Sequence, residues 1–285
     1  MEGFHKSVLL TEAVDALSVL PGERYIDCTL GDGGHSFEIL RRGGKVLGID
    51  VDPQSLEVAK ERIGKKDNFI AVQGNFANLA GIAKSNDFCP VSGIIFDLGF
   101  SQRQIEDKKR GFSFESGTLD MRMNPQLGVK AEDVINNFDQ RRLYEIFCKF
   151  GQERFSRRIA DYIVRARVAG PVTTGKQLAL LVEKAVGRRG RIHPATRVFQ
   201  ALRIFVNSEL ENLKEALPQA AELLKSKGRL AVISFHSLED GIAKSFIRGR
   251  EDFEFVFKKP IMATSVEVQR NPSSRSAKLR VAQKK

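Results

Sequence analysis

The 285 residues carry 46 Lys and Arg against 35 Asp and Glu, a formal charge of +11 with pI near 9.7, and 42% of them are hydrophobic. That length and apolar content support a real core in one large or two modest domains. No apolar run approaches the roughly 20 residues of a membrane span and no signal-peptide core is present, so a cytoplasmic location and no membrane are expected. Cys28, Cys89 and Cys148, and His5, His35, His193 and His236, are too scattered to read as a disulfide framework or a metal cluster. The positive surplus is the footprint expected of a polyanion partner.

In chain order, residues 5–20 contain a helical pattern with Val14 and Leu17 inward, and Pro21-Gly22 turns into a first strand ending at Asp27. The stretch Tyr25-Ile26-Asp27-Cys28-Thr29-Leu30-Gly31-Asp32-Gly33-Gly34-His35-Ser36 reads as strand, tight turn and helix start. That geometry brings bare backbone amides up to a ligand. A second strand closes on Asp50, sixteen positions past Gly34, where such folds grip a ribose hydroxyl pair. Asp52 and Pro53 start a helix to Ile63. Residues 69–72 and 94–97 are further strands, the latter a continuous apolar run of the kind buried on both faces. The alternation predicts a parallel sheet with helices on both sides.

After Asp97 the pattern changes. Residues 98–124 read as a long functional loop, rich in Gly, Ser, Arg and Asp. From Ala131 the pattern is helical: one helix capped by Asp139, one over about 153–168, and one capped by Thr174. A longer helix from Pro194 carries Phe199, Leu202, Val206, Leu210 and Leu213 as one stripe. A helix over 220–225, a turn at Lys227-Gly228, a buried strand over 229–235 and an antiparallel hairpin of 253–257 with 278–282 complete the chain. The fold class is α/β: residues 1–104 and 208–285 form one domain, and 105–207 a helical insertion.

A phosphate loop is excluded, because no Gly-Lys-Ser/Thr follows the glycines, and the string also misses G-x-G-x-x-G. An acidic strand end running into Gly-x-Gly-Gly suits a cofactor with a cationic amino-acid part and no phosphates. S-adenosylmethionine fits, its carboxylate at amides, its ribose at Asp50 and its adenine against an apolar ring such as Phe76. The competing reading is a glycine turn that only packs strand on helix.

Further blocks span nearly the whole chain: His5-x-Ser7-Val8-Leu9-Leu10-x-Glu12, Asp97-Leu98-Gly99, Arg110-Gly111-Phe112-Ser113-Phe114 and Leu119-Asp120-Met121-Arg122-Met123. Others are Glu153-Arg154-Phe155-Ser156-Arg157-Arg158, His193-Pro194-Ala195-Thr196-Arg197, Ser234-Phe235-His236-Ser237-Leu238-Glu239-Asp240 and Ser274-Arg275-Ser276-Ala277-Lys278-Leu279-Arg280. With these blocks the chain resembles the bacterial MraW-type methyltransferases. The resemblance implies a Rossmann-like class I methyltransferase sheet with an inserted all-helical substrate-recognition domain. It also implies S-adenosylmethionine-dependent N4-methylation of a cytidine in 16S, small-subunit ribosomal RNA near the decoding centre, on that RNA or the 30S particle. Cofactor contacts then fall on Gly33, Gly34, His35, Asp50, Phe76, Asp97 and Gln104. The chain departs from the family at Ser101-Gln102-Arg103-Gln104, where Ser-Ser-Pro-Gln is usual, and at Ser273, where Arg is usual.

Two residues stand as catalytic candidates. Asp97 either polarises N4 or only holds the cofactor. His236, just past the last buried strand, is a base contact, a proton acceptor or part of a helix-capping loop. Phe100 or Phe112 would stack on the base. Arg110, Arg122, Arg154, Arg157, Arg158, Arg188, Arg189, Arg191, Arg197 and Arg203, beside Phe112, Phe114 and His193, suggest a cradle for phosphates and a splayed base. The alternatives are a DNA amino-methyltransferase, against which the missing polar-Pro-Pro-aromatic loop argues, and a non-catalytic RNA-binding assembly factor.

Overall fold

The computed structural model describes residues 6–187, 190 and 192–285. His5, Arg188, Arg189 and Arg191 lie outside the described residues. The first elements are α1 (Leu10–Leu17), β1 (Arg24–Asp27), α2 (Gly34–Arg41), β2 (Lys45–Asp50), α3 (Pro53–Ile63), β3 (Phe69–Gln73), α4 (Leu79–Ser85) and β4 (Val91–Asp97). There follow α5 (Gln102–Glu106), α6 (Ala131–Asn137), α7 (Gln140–Gly151), α8 (Ser156–Ala169), α9 (Gly175–Val186) and α10 (Thr196–Asn207). The last are α11 (Glu209–Leu223), β5 (Leu224–Ser234), α12 (Ser237–Arg248), β6 (Phe253–Phe255), β7 (Ile261–Met262), α13 (Ser265–Arg270) and β8 (Lys278–Lys284).

The chain forms two compact units, Met1–Gly99 with Leu210–Lys285, and Phe100–Glu209. The first holds one sheet in the order β3-β2-β1-β4-β5-β8-β6, with β7 paired to β8. The five strands from β3 to β5 are parallel; β8 runs antiparallel to β5 and β6. This is the expected Rossmann-like sheet. Side chains alternate across it. Ile26, Ile94, Phe96 and Val232 face Leu79, Leu213, Leu217 and Ile247 of α4, α11 and α12. Tyr25, Ile95, Ala231 and Ile233 face the opposite layer, with Val14 and Leu17 of α1 and Ile39 of α2. Burial on both faces is why these strands read as continuous apolar runs.

The second unit is helical. Leu143 and Phe147 of α7, Ile159 and Ile163 of α8, Leu178 and Val182 of α9 and Leu202 of α10 are buried. Asp139 and Thr174 cap α7 and α9 as expected, accepting from Arg142 N at 2.8 Å and Gln177 N at 3.1 Å.

Several elements differ from the sequence reading. The single long helix from Pro194 is two helices, because Ser208 takes a left-handed φ of 51° and ends α10. Asn207 beside it anchors the preceding loop, accepting from Met123 N at 2.7 Å and donating to Met121 O at 2.8 Å. The expected turn at Lys227-Gly228 is an irregularity inside β5, where the pairing with β4 jumps from Val91↔Leu224 to Gly93↔Arg229. The closing pair is antiparallel, Phe253↔Lys284 and Phe255↔Ala282, but β7 and α13 lie between its strands, so it is no hairpin. Helix α4 went unread, and the loop after Asp97 contains α5.

Candidate active site

Strands β2, β1 and β4 are neighbours, and each ends on an aspartate: Asp50, Asp27 and Asp97. Their carboxyl ends meet where the strand order reverses, the place where open α/β sheets bind ligands. Each carboxylate is held differently. Asp27 is 1% exposed; its Oδ2 accepts from Ser36 Oγ at 2.7 Å and its Oδ1 from Thr29 N at 3.2 Å. Through a further bond from the Ser36 backbone it caps the start of α2, which Gly33 leaves without a side-chain cap. Asp50 accepts from Gly31 N and from Asp52 N, each at 2.8 Å, tying the glycine turn to the end of β2. Asp97 is different: its Oδ1 is sealed from solvent and accepts no hydrogen bond from the described residues.

Burial pushes the Asp27 carboxyl up to about 6, against the pull of its bonds from Ser36 and Thr29. Burial does the same to Asp50, also to about 6, reinforced by the charges of Asp52 and Asp27. Asp97 is raised well above the carboxylate range by burial, then by Asp27 and Glu239. Three such groups together favour a ligand that brings positive charge and hydroxyl donors.

His35, in the first turn of α2, is 3% exposed and sets Nδ1 3.7 Å from Asp97 Oδ2. Its Nε2 has no hydrogen-bond partner among the described residues. Burial lowers its pKa to about 4, against the backbone of Val8, so the ring is neutral at pH 7. Two buried polar atoms without partners, Asp97 Oδ1 and His35 Nε2, fit a site completed by a ligand.

The glycines serve the turn in separate ways. Gly33 has φ +74°, and a Cβ there would stand 3.1 Å from Ala59 Cβ. Gly34 has an ordinary φ, but its Cβ would fall 1.9 Å from Ser7 Oγ. The missing side chain makes room for residue 7, which explains the Ser7 block of the sequence. Phe76 follows β3, half-buried, edge-on to Phe96 with centroids 5.6 Å apart. Gln104 belongs to the second unit and is 7% exposed. Its Oε1 accepts from Ser101 N at 3.0 Å while its own N–H donates to Ser101 Oγ, a capping box that starts α5 without the family's proline.

His236 is the N-cap of α12. Its Nδ1 accepts from Glu239 N at 3.4 Å and its Nε2 lies 3.1 Å from Glu239 Oε1. Glu239, 2% exposed, accepts in return from Phe235 N at 2.8 Å. The capping residue is the histidine itself, with Ser237 the first residue of the helix.

The arginine cradle is reduced by the geometry. Arg110 donates to Arg122 O and Met123 O, at 3.1 and 3.0 Å. Arg122 grips Asp120 with two bonds and also donates to Pro125 O and Leu127 O. Arg203 forks onto Glu209 at 2.8 Å twice and lies 4.5 Å from the Phe100 ring centre. These three shape the protein, whereas Arg154, Arg157 and Arg158 are exposed. Phe112 is buried against Phe100, stacked at 5.8 Å, and leaves Phe100, 39% exposed, as the base-stacking candidate of the two. Phe114 is held between His193, at 4.3 Å, and Phe199, at 4.8 Å.

Residues 2–285 match the MraW methylase family. The chain belongs to that family. A relative from Dehalococcoides mccartyi, named ribosomal RNA small subunit methyltransferase H, is 44% identical over 98% of this chain and 86% of its own. One from Clostridium botulinum bearing the same name is 42% identical over the full length of both. Among solved structures, an rRNA methylase from Streptococcus thermophilus aligns over 99% of both chains with TM-score 0.48 at 12% identity.

Proposed function

We propose that this methylase transfers the methyl group of S-adenosylmethionine to N4 of a cytidine in small-subunit ribosomal RNA. The observation that carries the reading is the carboxyl edge of β2, β1 and β4, where buried Asp27 and half-buried Asp50 and Asp97 end the strands and Asp97 Oδ1 and His35 Nε2 have no hydrogen-bond partner among the described residues. Family membership and the names of the relatives support its coarser part, methyl transfer to small-subunit ribosomal RNA.

When bound, S-adenosylmethionine supplies a methyl already activated on a positively charged sulfur. Asp50 takes the ribose hydroxyls, since each of its oxygens keeps a lone pair beyond its one backbone bond. Phe76 offers an apolar ring to the adenine. Asp27 holds the glycine turn and the first turn of α2 in place, which fixes His35 and so one wall of the site. Cytosine N4 is a poor nucleophile, because its lone pair is delocalised into the ring. With the cofactor's positive charge beside it, the Asp97 carboxylate would be favoured over the neutral acid; it would then accept an N4 hydrogen through Oδ1 and orient the N4 lone pair for transfer. As the N4–C bond forms and the S–C bond breaks, its electron pair returning to the sulfur, N4 would become strongly acidic and its proton would pass to Asp97 or to water. Asp97 N donates to Thr29 Oγ1 at 2.6 Å, which pins the carboxyl end of β4 to the loop after β1. His236 positions the loop after β5 through its cap.

The test supplies labelled cofactor with small-subunit RNA, assembled small subunits and DNA, and maps the methyl. Label on cytidine N4 of the RNA is expected. Label on DNA, or nowhere, overturns the reading. Asp97→Asn should bind cofactor within about threefold of the native protein yet lose about a hundredfold in rate; a native rate would remove Asp97 from the chemistry.

A further inference from the structure

Between β6 and β8 the chain makes an excursion, residues 256–276, that the methyl-transfer chemistry does not use. It passes through β7 and α13 and leaves three large apolar side chains in solvent: Phe257 41%, Met262 46% and Val266 53% exposed. The same 256–276 stretch contains four cations, Lys258, Lys259, Arg270 and Arg275, all exposed, and a single acid, Glu267. Glu267 faces inward: its Oε1 accepts from Leu9 N at 2.8 Å. None of the four cations forms a salt bridge among the described residues. The surface is therefore positive, with an aromatic ring beside two lysines.

The excursion is also tied to the cofactor turn. Asn271 Nδ2 donates to Lys6 O at 3.0 Å, and Glu267 takes the Leu9 N–H. Between those two anchors, Ser7 Oγ fills the space that Gly34 leaves open, next to His35. Residues 6–9 thus connect this surface on one side with the start of α2 on the other.

We propose that residues 257–275 form an RNA-binding face that holds the substrate strand next to its target base, phosphates on Lys258, Lys259, Arg270 and Arg275 and a base on Phe257. This rests on the ribosomal RNA reading above. Unpaired positive charge interleaved with an exposed ring is how proteins hold single-stranded nucleic acid. A lipid surface suits it less, because α13 is six residues long and offers no broad apolar face.

The test measures binding of the full-length protein to a small-subunit RNA fragment spanning the methylated cytidine, across a salt series, with cofactor affinity and Tm as folding controls. The fourfold variant K258A/K259A/R270A/R275A should bind RNA at least tenfold more weakly, and its log K against log salt should flatten by about 3. Phe257→Ala should weaken binding roughly tenfold with the slope unchanged, since stacking releases no counterions. Cofactor affinity should be native in both. Native RNA affinity and slope in the fourfold variant overturn the face, as does a loss of phosphatidylserine-vesicle binding without any loss of RNA binding. Wild-type protein that neither binds nor methylates the RNA overturns the proposed function and this face with it. Wild-type methylation with an unchanged KM in the fourfold variant overturns the face alone.

Discussion

A methyl group on Gly34 would stand 1.9 Å from Ser7 Oγ and 3.1 Å from Ser7 Cβ, so the two residues are mutually exclusive in size. Gly34→Ala should cost about 1–3 kcal/mol as overpacking, and Ser7→Ala in the same chain should recover most of it. Thermal unfolding of the single and double variants reads this coupling; additive losses would remove it. Asp27 and Asp50 carry the second residue-scale expectation. Their pKa values, both raised to about 6, make the neutral acids dominant below that pH. A cationic ligand binds the ionised forms better, so cofactor affinity should rise with pH through 6. One linked group gives about a tenfold gain between pH 5 and 7. Calorimetry on the native protein and on Asp50→Asn tests it: the variant should lose part of the dependence. Asp27, Asp50 and Asp97 were legible in the sequence because an acid at the end of an apolar run is a local pattern. Ser7 and Asn207 were not legible as packing partners, because what they touch lies 27 and more than 80 residues away in the chain.

At the scale of elements, helix starts were the most readable feature, since a cap and its helix are neighbours in sequence. Asp52 and Asp139 cap α3 and α7 as their spacing suggested. His236 is the instructive case, where a histidine at a sheet edge suggested chemistry and the structure uses it to cap α12. His236→Asn should keep the cap, since asparagine is among the preferred N-caps, and His236→Ala should cost about 1 kcal/mol. If capping is its function, the asparagine variant should methylate within about threefold of the native rate, where loss of a proton acceptor would cost about a hundredfold. Chemical denaturation and steady-state rates on the two variants separate the roles. The break between α10 and α11 was hidden for the opposite reason. The apolar stripe continues through Ser208, and the left-handed residue there follows from Asn207 reaching across to the loop at Met121 and Met123.

At the scale of the molecule, the charge of +11 bears on the partner more than on the fold. Raising salt from about 50 to 200 mM should weaken RNA binding by roughly a thousandfold or more if six or more phosphates are contacted, while binding of a small cofactor should barely change. Filter binding and calorimetry across one salt series compare the two; parallel losses would mean the charge serves no polyanion. Composition, period and spacing determined the α/β class, the parallel strands with their acidic ends and the helical stretch from Ala131, because each is written in residues close together along the chain; the likeness to a methylase family was carried by motif blocks spread along nearly the whole chain. Only the tertiary structure decided which arginines hold the protein and which remain exposed. It also decided that Gln104 and His236 act as caps and that residues 6–9 link the glycine turn to the basic excursion before β8. Those outcomes depend on which distant groups desolvate one another, and nothing local in a sequence specifies that.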